Sequence, residues 1–77
     1  MKTVRVFGAS WCTKCKVLTK ELDQKKIQYE YIDVDTGIQM VKDYGVRSLP
    51  TTVVSDEGRY TVITGIAVMD ILKAMDD

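Results

Sequence analysis

The apolar residues of this 77-residue chain change their spacing several times, and each change marks an element. Residues 3–7 set Val4 and Val6 against Thr3, Arg5 and Phe7, the two-residue repeat of a strand. Gly8-Ala9-Ser10 reads as a loop. Over residues 13–26, Cys15, Leu18 and Leu22 return at helical spacing while Lys16, Lys20, Asp23 and Lys26 take the other side. Residues 28–34 are rich in aromatic and β-branched side chains and predict a second strand. A shorter helix is expected over residues 38–44, ended by Gly45. Residues 51–54 and 59–63 predict two more strands, joined through Ser55-Asp56-Glu57-Gly58, which has hairpin-turn chemistry. A last helix over residues 67–75 carries Val68, Ile71, Leu72 and Met75 on one stripe.

The resulting order is βαβαββα. Its first three elements make a parallel β-α-β unit with a right-handed crossover, and its last two strands make an antiparallel hairpin. The expected closure is an α/β fold, a mixed four-stranded sheet with helices on both faces. At this length the expectation is one domain over residues 1–77. An apolar share of 45% suits a packed globule rather than a disordered chain.

Charge narrows the partners. Eleven basic and eleven acidic residues cancel, which argues against nucleic acid, since phosphate binding needs a basic surplus. Residues 1–26 nevertheless carry seven basic and two acidic side chains, and residues 27–77 carry four basic and nine acidic ones. That asymmetry reads either as a solvated lysine-rich helix or as a positive field around the first helix. No segment approaches the roughly 18 apolar residues of a membrane span, so no membrane partner is expected. Met1-Lys2-Thr3-Val4-Arg5 has none of the features of a secretory signal, so the expected compartment is the cytoplasm.

Candidate chemistry concentrates in Trp11-Cys12-Thr13-Lys14-Cys15-Lys16. Two residues between the cysteines, in the first turn of a helix, put both sulfurs on one side, where they can close a disulfide with little backbone movement. Closing so small a ring removes little chain entropy, so the pair is a poor staple and a good reversible switch. Cys12 falls at the open helix N-terminus, where unpaired N–H groups and the helix dipole favour a thiolate. Cys15 lies on the apolar stripe and is expected to be the more buried. Cys12 is therefore expected to be the exposed nucleophile, and Cys15 the buried resolver. Lys14 and Lys16 oppose the helix dipole; they read either as groups that stabilise the Cys12 thiolate or as ordinary exposed lysines. Metal binding and a purely structural disulfide are the rivals. With two cysteines and no histidine, a four-ligand site would need carboxylates, an added thiol or a second subunit, and no metal is expected.

The Trp before the first Cys and the Lys after the second resemble the active site of thioredoxins. A second segment, Tyr44-Gly45-Val46-Arg47-Ser48-Leu49-Pro50-Thr51, resembles the thioredoxin cis-proline loop. The resemblance spans nearly the whole chain, while the length is that of glutaredoxins and of short glutaredoxin-like thioredoxins. It implies a minimal thioredoxin fold, without the extra N-terminal strand and helix of full thioredoxins. It also implies a cis bond at Pro50, facing Cys12 and leaving the Leu49 main chain free to pair with an extended substrate. Gly65 and Ile66 are implied to lie beside the site, forming an apolar platform with Trp11, Leu49 and Pro50. Thr13 and Lys14, between the cysteines, are implied substrate contacts. Trp11 and Ile66 have the alternative of being core residues.

Several positions depart from the family. Full thioredoxins place a buried aspartate six residues before the first Cys, where this chain has Val6, and a lysine where Tyr31 stands. Glutaredoxins place a double glycine before the last helix, a Thr-Val-Pro loop and a lysine just upstream of the first Cys. Here the corresponding residues are Gly65-Ile66, Ser48-Leu49-Pro50 and Ala9-Ser10. The resemblance thus implies a protein dithiol–disulfide oxidoreductase with no bound cofactor beyond the Cys12–Cys15 disulfide. Its implied donor is a flavoprotein of the thioredoxin-reductase type, and its acceptors are disulfide-containing proteins, among them ribonucleotide reductase. The expected oligomeric state is a monomer. A glutathione-dependent glutaredoxin and a non-catalytic binding module using the apolar platform are the alternatives.

Overall fold

The computed structural model describes residues 2–76. Its elements are β1 (Lys2–Gly8), α1 (Thr13–Gln24), β2 (Glu30–Asp33), α2 (Ile38–Tyr44), β3 (Thr51–Asp56), β4 (Arg59–Thr64) and α3 (Val68–Asp76). The strands form one sheet in the order β2-β1-β3-β4. β1 pairs parallel with β2, with Val6 opposite Tyr31, and antiparallel with β3, with Val6 opposite Thr52. β3 and β4 form the antiparallel hairpin. The order, the mixed sheet and the α/β class are those expected from the sequence.

Side-chain alternation sorts the sheet into two faces. On one face Val4, Val6, Val54 and Ile63 pack with Leu18 and Leu22 of α1 and with Val68 and Ile71 of α3. On the other, Phe7 meets Tyr44 of α2 edge-on at 6.0 Å, and Tyr44 meets Tyr60 of β4 at 5.1 Å. Helices therefore cover both faces. Phe7, read from the alternation as lying opposite the apolar positions, is fully buried, because β1 is an inner strand with α2 over its second face.

The element ends differ from expectation for local reasons. β2 is shorter than residues 28–34. Its end is set by Asp33, whose Oδ1 accepts from the Asp35 N–H at 2.8 Å while its carbonyl accepts from Gly37 N–H at 2.7 Å. The β3–β4 turn is narrower than four residues: Asp56 pairs with Arg59, leaving Glu57 and Gly58 at φ 49° and 85° as a two-residue loop. Gly8, read as loop, is the last residue of β1.

α1 ends at Gln24, two residues early. Ile27 N–H bonds the Leu22 carbonyl at 3.0 Å around Lys26, which takes the left-handed conformation at φ 58°. That closing position usually belongs to glycine. Lys26→Gly is expected to raise the free energy of unfolding by about 0.5–1 kcal/mol, the left-handed cost less glycine's own entropy. A urea midpoint that falls or stays put would show that this bend carries no such cost.

Candidate active site

The loop leaving β1 closes when Cys12 N–H bonds the Ala9 carbonyl at 3.1 Å, and α1 starts at once. Cys12 is its N-cap, in extended conformation, and its Sγ accepts from the Cys15 N–H at 3.2 Å. A sulfur thus takes the place usually held by a hydroxyl or carboxylate oxygen. No acidic residue occupies the first turn, where Asp or Glu would normally complement the dipole. The helix N-terminus is therefore directed at Cys12, a setting that stabilises a thiolate when the pair is reduced.

Cys12 and Cys15 form a disulfide, with Cα atoms 5.3 Å apart. The order of exposure follows the sequence reading, but the openness expected of Cys12 does not: Cys12 is 7% exposed and Cys15 1%. In the disulfide both sulfurs turn inward, and Ala9, Val34 and Leu49 pack around them. Trp11 instead lies at the surface, 69% exposed. Thr13 and Lys14 are exposed on the first turn of α1.

The second motif meets the first through Leu49. The Leu49–Pro50 peptide bond is cis, as the resemblance implied, and Pro50 is buried. The Thr51 hydroxyl donates to the Ser48 carbonyl across this turn. The sheet ladders begin only at Thr51, so the Leu49 main chain stands outside them beside the disulfide. Gly65, at φ 80°, donates its N–H to the Pro50 carbonyl at 2.9 Å, which fixes the end of β4 against the proline loop. Ile66 follows, 40% exposed. The fold thus gathers Cys12, Cys15, Leu49, Pro50 and Gly65 at one end of the sheet, with Trp11 and Ile66 on the surface rather than in the core.

Sequence reasoning missed Ala9 and Val34 as walls of the disulfide pocket. Ala9 was visible only as a small loop residue. Val34 was visible as the last β-branched residue of the second strand, and its N–H in fact continues to the Gly8 carbonyl at 3.0 Å. Among the described residues, no three His, Cys, Asp or Glu side chains gather in a way that could hold a metal ion.

The family model described as Thioredoxin domain matches residues 2–73. The chain belongs to the thioredoxin domain family. It is 40% identical over 58 residues to the thioredoxin of Bacillus subtilis, covering 68% of this chain and 56% of that one. It is 33% identical over 63 residues to the thioredoxin of Mycoplasmoides gallisepticum, covering 75% and 63%. The chain therefore spans little more than half the length of the curated thioredoxins it matches. Oxidised mitochondrial thioredoxin 3 of Saccharomyces cerevisiae superposes with a TM-score of 0.81 at 29% identity, covering 99% of this chain and 77% of that one. Thioredoxin of Trypanosoma brucei brucei shares the fold, with a TM-score of 0.85 at 22% identity over 100% and 74%. These likenesses do not favour the glutaredoxin alternative.

Among thioredoxin-domain chains the electrostatics of the first helical turn are open to direct measurement. In Lys14→Glu the positive charge between the cysteines is reversed. The Cys12 thiol pKa is expected to rise, by on the order of half a unit. Ultraviolet titration of the reduced protein checks this, and an unchanged midpoint would reduce Lys14 to an ordinary surface lysine.

Proposed function

We propose that residues 1–77 act as one redox domain, a monomeric dithiol–disulfide oxidoreductase that carries electrons to protein disulfides. One observation carries the reading: the Cys12–Cys15 disulfide caps the N-terminus of α1 with Leu49 of a cis Leu49–Pro50 loop packed against it. A staple would need neither the helix N-terminus nor the loop.

In the reduced protein the Cys12 thiolate attacks one sulfur of a substrate disulfide. A mixed disulfide forms, the substrate S–S bond breaks, and the first substrate sulfur leaves as a thiolate, which takes its proton from solvent. Cys15 then loses its proton, and its sulfur attacks Cys12 Sγ. The bond from Cys12 to the substrate breaks, the second substrate sulfur takes up a proton, and the Cys12–Cys15 disulfide is restored. Two electrons have passed from the pair to the substrate. Trp11 and Ile66 offer apolar surface for docking, with Thr13, Lys14, Pro50 and Gly65 around the sulfurs, and the free Leu49 main chain can pair with an extended substrate segment.

The reductant that suits this site is a flavoprotein of the thioredoxin-reductase type. The acceptors are disulfide-containing proteins, with a ribonucleotide reductase among the candidates. The compartment that suits a reducing carrier is the cytoplasm, where thiols are kept reduced. No helix of the described residues is long and apolar enough to cross a membrane. The only redox group required is the disulfide itself. To test the donor, the oxidised protein is offered glutathione or a thioredoxin reductase with NADPH, and reduction is followed through Trp11 fluorescence. Rapid reduction by the flavoprotein and slow reduction by glutathione is the expected result. The reverse order would make glutathione the physiological reductant.

A further inference from the structure

Gly8 closes β1 one residue before Ala9, and its missing side chain is occupied. A Cβ built there would lie 2.6 Å from the Tyr31 hydroxyl oxygen and 3.0 Å from two carbons of the same ring. The phenol of Tyr31, reaching across from β2, lies directly over the Gly8 backbone. Any other residue at position 8 would push it away.

The position of that hydroxyl in the fold gives it a use. Val4, Val6 and Gly8 alternate onto the face covered by α1. In this β-α unit the helix runs back over the strand, so its stripe Leu22, Leu18, Cys15 advances in the opposite direction. Leu22 and Leu18 share a core cluster with Val4 and Val6. One step further along each element come Cys15 and Gly8, and Cys15 indeed packs with Ala9, the next residue after Gly8. Tyr31 is 43% exposed, and its phenol tip over Gly8 lies at the solvent-facing edge of the layer between the end of β1 and the first turn of α1.

Cys15 needs a polar neighbour in that layer. It is 1% exposed, and it sits in an apolar cluster with Ala9 and Cys12, against which Val34 and Leu49 pack. The helix-terminal donor described above serves Cys12 and not Cys15. Burial in apolar surroundings disfavours the Cys15 thiolate on which the second step depends. The charge felt at the Tyr31 hydroxyl is that of Asp33, and Tyr31 in turn acts on Tyr29 of the same strand region. Partial desolvation, and then the Asp33 charge, push the Tyr31 hydroxyl up from the usual tyrosine value, so the phenol stays protonated and remains a donor.

We infer that the Tyr31 hydroxyl, seated on Gly8, donates a hydrogen bond to Cys15 Sγ in the reduced protein and so promotes resolution of the mixed disulfide. The phenol keeps its proton throughout. The Cys15 proton passes to the departing substrate sulfur, and the electrons move as in the exchange proposed above. The inference rests on that reading of the cysteines.

The test separates the two. In a Cys12→Ser background the Cys15 thiol is titrated by ultraviolet thiolate absorbance, with Tyr31 intact and as Tyr31→Phe, which keeps the ring over Gly8. This measurement stands whether or not the wild-type chain reduces a protein disulfide. Loss of the donor is expected to raise the Cys15 midpoint by about one unit, a tenfold loss of thiolate at a given pH. Gly8→Ala, which displaces the phenol, is expected to shift it the same way. Tyr29→Phe is the control, because Tyr29 donates instead to Asp23 near the far end of α1, at 3.0 Å. An unmoved midpoint in Tyr31→Phe, or an equal shift in Tyr29→Phe, overturns the inference.

Discussion

Cys12→Ser is expected to reduce catalysed turnover of a protein disulfide by at least about a thousandfold, to the background set by the chemical reductant alone. The serine hydroxyl fits the same N-cap position, so α1 keeps its start and the fold survives. What disappears is the nucleophile, because a hydroxyl does not ionise near neutral pH and a thiol at a helix N-terminus does. Insulin reduction driven by dithiothreitol, read as turbidity, measures the loss. The same variant separates catalysis from docking. The apolar surface at Trp11 and Ile66 is untouched, so a chain acting only as a binding module would keep its full effect in the assay of its partner. Retained turnover in Cys12→Ser would remove the cysteine from the mechanism.

Leu18→Ala is expected to have the largest effect on stability, a loss of about 2–5 kcal/mol. Leu18 is fully buried where α1 meets Val4, Val6 and Ile71, with sheet on one side and α3 on the other. The surroundings cannot collapse into the space without moving a helix. For 77 residues the total stability is on the order of 4–12 kcal/mol, so this single cavity removes a large part of it. Met69, 75% exposed on α3, provides the contrast: Met69→Ala is expected to change stability by no more than about 0.5 kcal/mol. Chemical denaturation of the two variants side by side checks the pair. Equal midpoints would mean that the core is not where Leu18 lies.

Much of this architecture could be read from periodicity, because each element buries one clear stripe. The helix of Ile38–Tyr44 was bounded correctly because Gly45 at φ 65° ends it by a local rule. α1 ends before its periodicity does because Lys26 adopts a glycine conformation that its side chain does not advertise. The burial of Phe7 depends on Tyr44 arriving from a distant segment, and alternation within one strand cannot register that.

The candidate site divides in the same way. The spacing of Cys12 and Cys15 within one helical turn is local, and the disulfide follows from it. The junction of Leu49 with the cysteines, and the bond from Gly65 to Pro50, join parts of the chain far apart in sequence. They became legible only through the family resemblance. The inward turn of Cys12 was legible by neither route, since it depends on Ala9, Val34 and Leu49 closing around the sulfurs. Gly8 carried a signal that was read as a loop: a glycine at the end of a strand marks the close approach of another group, and that group is Tyr31.

In the proposed function Cys12 and Cys15 pass two electrons to a protein disulfide. The most direct measurement mixes the reduced protein, freed of reductant, with an excess of a disulfide-bonded protein. The mixture is quenched with acid, and the thiols of both partners are counted by alkylation and mass spectrometry. Both cysteines are expected to become protected from alkylation together as the disulfide forms, while two new thiols appear on the substrate for each chain oxidised. Both cysteines remaining open to alkylation, with the substrate disulfide intact, would contradict that function.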